Sequence, residues 1–366
     1  MLSAVRTTLP GRDYHAQDVY ELERERIFFR RWYYLGRAEG LAEPGDYRAF
    51  DVAGESILVV CGKDGRLRGF YNVCRHRGSR LCDSSAGRLR GAIKCPYHAW
   101  TYAFDGRLIG TPLVREDEVD RASLGLWAVS VDTWGGFLFV NLSEEPESLV
   151  EALAAEPESP LPWERFGPLG ELRVGHRTVV DVAANWKIQV ENFNECLHCP
   201  TVHPELVAIV PAYKRGEVLE DGRSDGGVAI AEGGTSFTRS GKSRLPVMPG
   251  FGDEEATSIY SAYVYPNMFL DISGTSTVAT CLHPRGPEQT TVVTEYLFRA
   301  EVLEEPSFDP AEIVEFNELV NRQDFLVCER VQQGVRSRAF THGVYAEKDD
   351  LPYRFNRRYL AARDGG

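Results

Sequence analysis

Hydrophobic and polar positions alternate along this chain with two different periods. Between residues 13 and 34, Val19, Leu22, Ile27 and Phe28 recur among charges and lead into Trp32-Tyr33-Tyr34, which predicts an amphipathic N-terminal helix. From about Leu35 the pattern shortens to β-rich runs, Tyr47–Val60 and Leu67–Val73, separated by Gly-Glu and Lys-Asp-Gly turns. Ala92-Ile93, Trp100-Thr101-Tyr102, the Asp105-Gly106 turn and the run Gly136–Asn141 continue it, as in a small antiparallel domain. Between Ser143 and Pro168, Glu accumulates with five of the chain's 20 prolines, so a connection is expected there, with at most a short helix at Ser148–Ala155. A strand at Arg173–Val182 follows, then a helix opening at Trp186. Further strands are expected at Ser258–Tyr265, Met268–Ile272, Ser276–His283 and Thr290–Glu301. The last long element is a helix from Pro310 to Arg336, with Asp309 as N-cap, Pro310 in the first turn and Glu312 three residues after the cap. The Gly- and Ser-rich stretch Gly216–Gly252 is expected to be a loop that covers something. These elements describe an α+β protein in four parts: an N-terminal helix (1–35) packed on the C-terminal domain, an all-β domain (36–145), a connection (146–168), and an antiparallel-sheet domain with helices (169–366).

Composition narrows the class. At 366 residues, 43% hydrophobic and 26% charged, the chain can bury two cores, and without a run of about 18 apolar residues it gives no membrane span. The N-terminus lacks the apolar core of a secretory signal, so a cytoplasmic location is expected. The formal charge of −13 excludes nucleic-acid binding as a property of the whole chain. Charge is uneven, however: Arg66 to Arg107 contains eight Arg and one Lys against Asp83 and Asp105, a candidate docking face for an acidic protein. Of the eight cysteines, Cys74 and Cys95 suit metal ligation and the others are expected as free thiols.

Two clusters carry chemistry. Cys74-Arg-His76 and Cys95-Pro-Tyr-His98 make two fingers, each with one thiolate and one imidazole, for which zinc and an iron–sulfur cluster are both open. The mixed pairing suits a Rieske 2Fe-2S cluster, in which one iron takes two Cys and the other two His. The second cluster, Glu191 to His203, gathers Asn192, Glu195, His198 and His203. Two imidazoles and a carboxylate on one face of an octahedral ion suit a ferrous centre with open positions. Glu195 and His198 are expected to share a helix face, and Pro200 to end or bend that helix and re-aim His203 toward His198. For the carboxylate, the apolar stripe Ile313, Phe316, Val320, Val327, Val331 on the long helix is completed by Asp324, which is costly to bury unless it is paired or ligates a metal.

The fingers Cys74-Arg-His-Arg-Gly78 and Cys95-Pro-Tyr-His-Ala-Trp100, followed by Glu191-Asn-Phe-Asn-Glu-Cys-Leu-His198 and His203, resemble the large (alpha) subunit of Rieske non-haem iron oxygenases over nearly the whole chain. The resemblance implies a Rieske domain joined to a helix-grip, START-like catalytic domain, with Cys74, His76, Cys95 and His98 on the cluster. It implies mononuclear Fe(II) on His198, His203 and Asp324, and Glu195, with Asn192 beside it, in the catalytic link. Glu195 matches the acidic residue that joins a Rieske histidine of one subunit to an iron-ligating histidine of its neighbour in a ring, usually a homotrimer. Small-molecule substrate and O2 would react at the iron, with electrons from NAD(P)H through a separate ferredoxin or flavin/iron–sulfur reductase, because the chain has no G-x-G-x-x-G after a strand. The wording around His198 looks like the branch acting on quaternary ammonium compounds, with Phe193, Tyr260, Tyr263 and Tyr265 as candidate faces for a cation. Alternatives are an aromatic ring-hydroxylating dioxygenase making a cis-dihydrodiol, a zinc-stabilised binding module and a pure electron carrier.

Overall fold

The computed structural model describes residues 6–156, 159–218 and 227–365. The chain divides into two compact units, one of Phe28–Ala152 and the other joining the residues up to Ile27 with those from Leu153 onward.

The Phe28–Ala152 unit is built on β-sheet. Seven antiparallel strands run in the order Tyr33–Arg37, Phe137–Asn141, Ala128–Trp134, Leu67–Tyr71, Glu55–Cys61, Asp46–Val52, Ala86–Arg88. A separate three-stranded sheet joins Ile93–Lys94, Thr101–Tyr102 and Leu108–Gly110. Leu58, Val60, Phe70, Ile93, Trp100 and Tyr102 share one buried cluster with Cys74 and Cys95, so the core of this unit lies directly under the two fingers. The predicted N-terminal helix is shorter than expected. It runs Gln17–Glu23, continues as a π-helical turn to Phe28, and Tyr33-Tyr34 begin a strand. Aromatic residues of that kind satisfy a fully buried strand as well as a helix face, and here the sheet takes them.

In the other unit six antiparallel strands run in the order Leu172–Val182, Gln289–Arg299, Ser276–Gly286, Met268–Ser273, Ser258–Val264, Gly227–Ala229. The helix Ala311–Val335 buries Ile313, Phe316, Asn317, Val320, Cys328, Gln332 and Val335. Its stripe therefore passes from Val320 through Asp324 to Cys328 in steps of four. Val327 and Val331 fall off that face, and Val331 is exposed. Asp309 accepts a hydrogen bond from Ala311 N at 2.9 Å, but it stands one residue before the N-cap, which is Pro310 and not Asp309 as expected. A further helix, Asp350–Asp364, follows, so the long helix is not the last one. Its Arg-rich sequence hides the periodicity, because only Pro352, Phe355, Asn356, Tyr359 and Ala362 are buried. Trp186 meets it edge-on, with ring centroids 5.7 Å from Phe355 and 6.2 Å from Tyr359.

One buried carboxylate ties three helices of this unit together. Glu23 receives Trp186 Nε1 at 2.9 Å, Lys187 Nζ at 2.5 Å and Tyr359 Oη at 2.8 Å, and both charged side chains are fully buried. A buried pair is tolerable because Glu23 accepts three hydrogen bonds and Lys187 Nζ also lies 5.1–5.7 Å from the ring centroids of Tyr14, Trp186 and Tyr359. The network anchors the start of Trp186–Phe193, the helix that delivers the histidine segment.

Candidate metal centres and substrate cavity

The two cysteine fingers fold as matching knuckles. Cys74 N donates to Ser79 O and Cys95 N to Trp100 O, both at 2.8 Å, while Gly78 N donates to Cys74 O at 3.0 Å and Ala99 N to Cys95 O at 3.1 Å. Each knuckle turns at a left-handed residue in the same place, Gly78 (φ 70°) and Ala99 (φ 59°). For Ala99 that conformation is sterically unfavourable, so the knuckle is held by its hydrogen bonds against local preference. Both cysteines are buried, and the two imidazoles, 4.6 Å apart between ring centroids, are half-buried. The amides of Tyr97 and His98, with the side chains of Cys74 and Ser79, outweigh burial and hold the Cys95 thiol below its ordinary pKa. His76 Nδ1 is buried with no hydrogen-bond partner, a vacancy that a metal bond would satisfy. The residues present therefore fit a cluster held by two thiolates and two imidazoles.

The second centre forms after the helix Trp186–Phe193 ends. Asn194 caps it, and Glu195 to Leu197 make a turn, so Glu195 and His198 do not share a helix face as expected. Instead the Glu195 carboxylate folds back on its own loop. It accepts from the amides of Leu197 and His198 and lies 2.5 Å from His198 Nδ1. Pro200 does not end a helix either. It opens the short turn Cys199–Val202, where its missing N–H costs nothing, and His203 stands at the junction with the next helix, Pro204–Ile209. The result is nonetheless convergent. His203 Nε2 is 2.9 Å and His198 Nε2 3.3 Å from Asp324 Oδ1, and the three ligand atoms lie within 4.8 Å of one another. Burial alone would lower the His198 pKa, but its hydrogen bonds to Asp324 and Glu195 push it up to about 9, so the site favours positive charge and fits a divalent cation.

Beside this triad lies a cavity of about 190 Å³, lined among others by Asn192, Phe193, Phe237, Phe269, Asp271 and Asn321. Asn192 Nδ2 approaches the His198 ring at 3.4 Å and 3.5 Å from its two nitrogens.

Residues 31–130 match the Rieske [2Fe-2S] domain, and residues 169–364 match the ring hydroxylating alpha subunit (catalytic domain). The chain belongs to the ring-hydroxylating alpha subunit family. It is 30% identical over 341 residues to the carnitine monooxygenase oxygenase subunit of Acinetobacter baumannii, covering 91% of this chain and 86% of that one. It is 29% identical over 375 residues to the glycine betaine monooxygenase oxygenase subunit of Chromohalobacter salexigens, covering 93% and 82%. Its fold matches the solved structure of a quaternary ammonium Rieske monooxygenase described for carnitine oxidation and inter-subunit electron transfer, with a TM-score of 0.79, 26% identity, and 98% and 96% of the two chains covered.

The protein is thus a Rieske non-haem iron oxygenase component, with the α+β fold, the 2Fe-2S cluster and the non-haem iron chemistry of that family. Zinc-stabilised binding and pure electron carriage are set aside by the catalytic domain. No helix among the oxygenase's described residues is long and apolar enough to cross a membrane.

Several site features of the oxygenase depart from the sequence expectations. Phe193 lines the cavity, but Tyr260, Tyr263 and Tyr265 do not. Tyr260 packs against Phe166 and Trp163 on the strand face opposite Ile259 and Ser261, Tyr263 shares their face but donates to Pro266 O at 2.8 Å farther along the strand, and Tyr265 stands in the following turn under Arg358. Cys196 and Cys199, expected as free thiols, form a disulfide across the turn holding His198, their Cα atoms 5.0 Å apart. The other six cysteines are buried and not disulfide-bonded. In the loop-like stretch Gly216–Gly252, residues 219–226 lie outside the described residues. Within the rest, Val218 and Phe237 do contribute to the cavity wall. Two residues went unnoticed. Gln323, next to Asp324, touches His203 Nδ1, and Asp271 faces the cavity from a strand. A lone charge in Met-Phe-Leu-Asp-Ile-Ser was the available signal for the second.

Proposed function

We propose that this oxygenase hydroxylates a quaternary ammonium compound, at an N-methyl carbon or a neighbouring one, with His198, His203 and Asp324 holding Fe(II) and Cys74, His76, Cys95 and His98 holding the cluster. The observation that carries the iron assignment is the convergence of His198 Nε2, His203 Nε2 and Asp324 Oδ1. Two imidazoles and one carboxylate leave positions open for O2 beside the substrate. When bound, the iron supplies O2 activation and the cluster supplies electrons. The chain's own residues do the rest. Glu195 fixes the tautomer and orientation of His198 through Nδ1. Asn192 packs against the same ring, and the aromatic wall of Phe193 and Phe269 keeps water from the reacting carbon. One oxygen atom ends in the product and the other in water, with electrons and protons balancing the reduction. Attack on an N-methyl group gives a carbinolamine that collapses to formaldehyde and the demethylated amine.

The ammonium class is supported by the relatives named above, whose substrates are carnitine and glycine betaine. Electrons come from NAD(P)H through a separate ferredoxin or reductase, which docks on the basic stretch Arg66–Arg107. We take the enzyme to be cytoplasmic, where reduced nicotinamide is supplied, and to assemble as a ring, most simply a trimer, with Glu195 linking a neighbour's Rieske histidine to His198. Product analysis with the metal-loaded enzyme, a surrogate reductase and a panel of ammonium and aromatic compounds tests the function. Conversion of ammonium compounds to hydroxylated or demethylated products is expected, and conversion of aromatics alone to cis-dihydrodiols overturns it.

A further inference from the structure

Phe269, Asp271, Ile272 and Ser273 of strand Met268–Ser273 line the cavity, with Phe269, Asp271 and Ser273 on one face of the strand. Phe269 stacks on Phe193 with ring centroids 4.0 Å apart and planes 5° from parallel, so one side of Asp271 is a flat aromatic wall. Across the sheet Asp271 pairs in register with Ser261, whose hydroxyl donates to its Oδ1 at 2.5 Å. Burial pushes the Asp271 pKa up to about 6 and the Ser261 hydrogen bond only partly offsets this, with no cationic side chain contributing. Among the described residues lining the cavity there is no Lys and no Arg. A buried carboxylate held by a single hydroxyl and facing an apolar space is destabilising for the free protein. It becomes favourable when the occupant of that space brings the opposite charge.

We propose that Asp271 is a specificity-determining residue, the carboxylate that receives the positively charged nitrogen of the substrate, and that the cavity consequently favours a net cation over a zwitterion of similar size. This rests on the ammonium-substrate reading above and goes further, because carnitine and glycine betaine both carry a carboxylate. A second carboxylate in this cavity would face Asp271, Glu195 and Asp324, with no lysine or arginine among the described lining residues to receive it. A neutral hydroxyl would find Asn321 and Thr280 on the lining instead. The aromatic pair adds cation–π attraction for the same headgroup.

The test uses the metal-loaded enzyme with a surrogate reductase and three probes: choline as a net cation, glycine betaine as a zwitterion, and 3,3-dimethylbutan-1-ol as the uncharged isostere of choline. Calorimetric binding and KM are read for wild type, Asp271→Asn and Asp271→Glu, with iron content and the cluster spectrum as controls for folding. Wild type is expected to bind choline more tightly than either other probe. Asp271→Asn should weaken choline by about tenfold to a hundredfold and leave the uncharged isostere within about twofold, while Asp271→Glu retains part of the preference. Unchanged choline binding in Asp271→Asn overturns the role of Asp271. Equal wild-type affinity for betaine and choline overturns the net-cation preference, and that comparison stands even if the variants do not fold. If wild type binds none of the ammonium compounds but turns over a neutral aromatic, the underlying substrate class fails first and takes this inference with it.

Discussion

His203 Nδ1 lies 2.7 Å from the amide oxygen of Gln323, the residue immediately before Asp324. One helix therefore supplies the carboxylate on the Nε2 side of His203 and the acceptor on its Nδ1 side, while Gln323 Nε2 reaches Glu205 at 3.3 Å. An acceptor at Nδ1 keeps the proton there and leaves Nε2 free for a metal. Gln323→Ala is expected to weaken iron retention by about 10- to 100-fold, and Gln323→Glu to preserve it. Iron content after dialysis against a chelator checks this, and unchanged retention in the alanine variant removes Gln323 from the support of the site.

The two centres should be separable by mutation. Cys74→Ser or His98→Ala is expected to abolish the visible absorbance of the cluster while the catalytic domain still binds iron. Asp324→Ala should keep the colour and lose mononuclear iron and turnover. A normal Rieske spectrum in either finger variant, or full activity in Asp324→Ala, refutes the corresponding ligand.

Glu191 gives a stability prediction. It accepts from Tyr14 Oη at 2.7 Å, and burial pushes its pKa up to about 7 although Tyr14, Asn356 and Lys187 pull the other way. The folded state therefore holds this proton more tightly than the unfolded chain, so the stability present below about pH 4.5 is lost as pH rises through about 7. Glu191→Gln removes that loss. Its stability relative to wild type should rise between pH 5 and pH 8 by an amount on the order of 3 kcal/mol. Melting curves of both proteins across that range decide it, and a pH-independent difference counts against the buried acid.

Charge on the Rieske domain should appear in kinetics. The Arg66–Arg107 stretch surrounds the cluster fingers, where Tyr97 is 57% exposed. Reduction of the cluster by an acidic donor should slow as salt rises from low to physiological strength, because encounter between opposite charges is screened over about 8–10 Å. Stopped-flow reduction rates that ignore salt would rule out electrostatic docking there.

Assembly is tested by mixing. If each cluster serves the neighbouring subunit's iron through Glu195, rings that combine His98→Ala and Asp324→Ala subunits should regain activity that neither variant has alone. Glu195→Gln should keep both metal sites and slow turnover, since a neutral amide replaces the charged acceptor at His198 Nδ1. Mixed oligomers that form and stay inactive place transfer within one chain.

Much of this was legible in the chain itself. Cys74, His76, Cys95 and His98 lie in two short knuckles whose geometry is set by local hydrogen bonds, and short-range spacing is what a sequence displays directly. The β-texture before Asn141 and the long helix carrying Asp324 were readable for the same reason, because periodicity reports burial one element at a time. The readings that failed concerned direction. Glu195 and His198 are expected on a helix that in fact ends at Phe193, and Tyr260, Tyr263 and Tyr265 beside a cavity that none of them lines. Which face of a strand looks inward depends on its neighbours, and so does which carboxylate meets which imidazole. Gln323 on His203, Ser261 on Asp271 and the Cys196–Cys199 link are such relations. The sequence determined the inventory of candidate ligands and most of the elements that carry them. Only the tertiary structure decided how they converge, because that depends on register and helix rotation, which long-range packing sets and local composition does not encode.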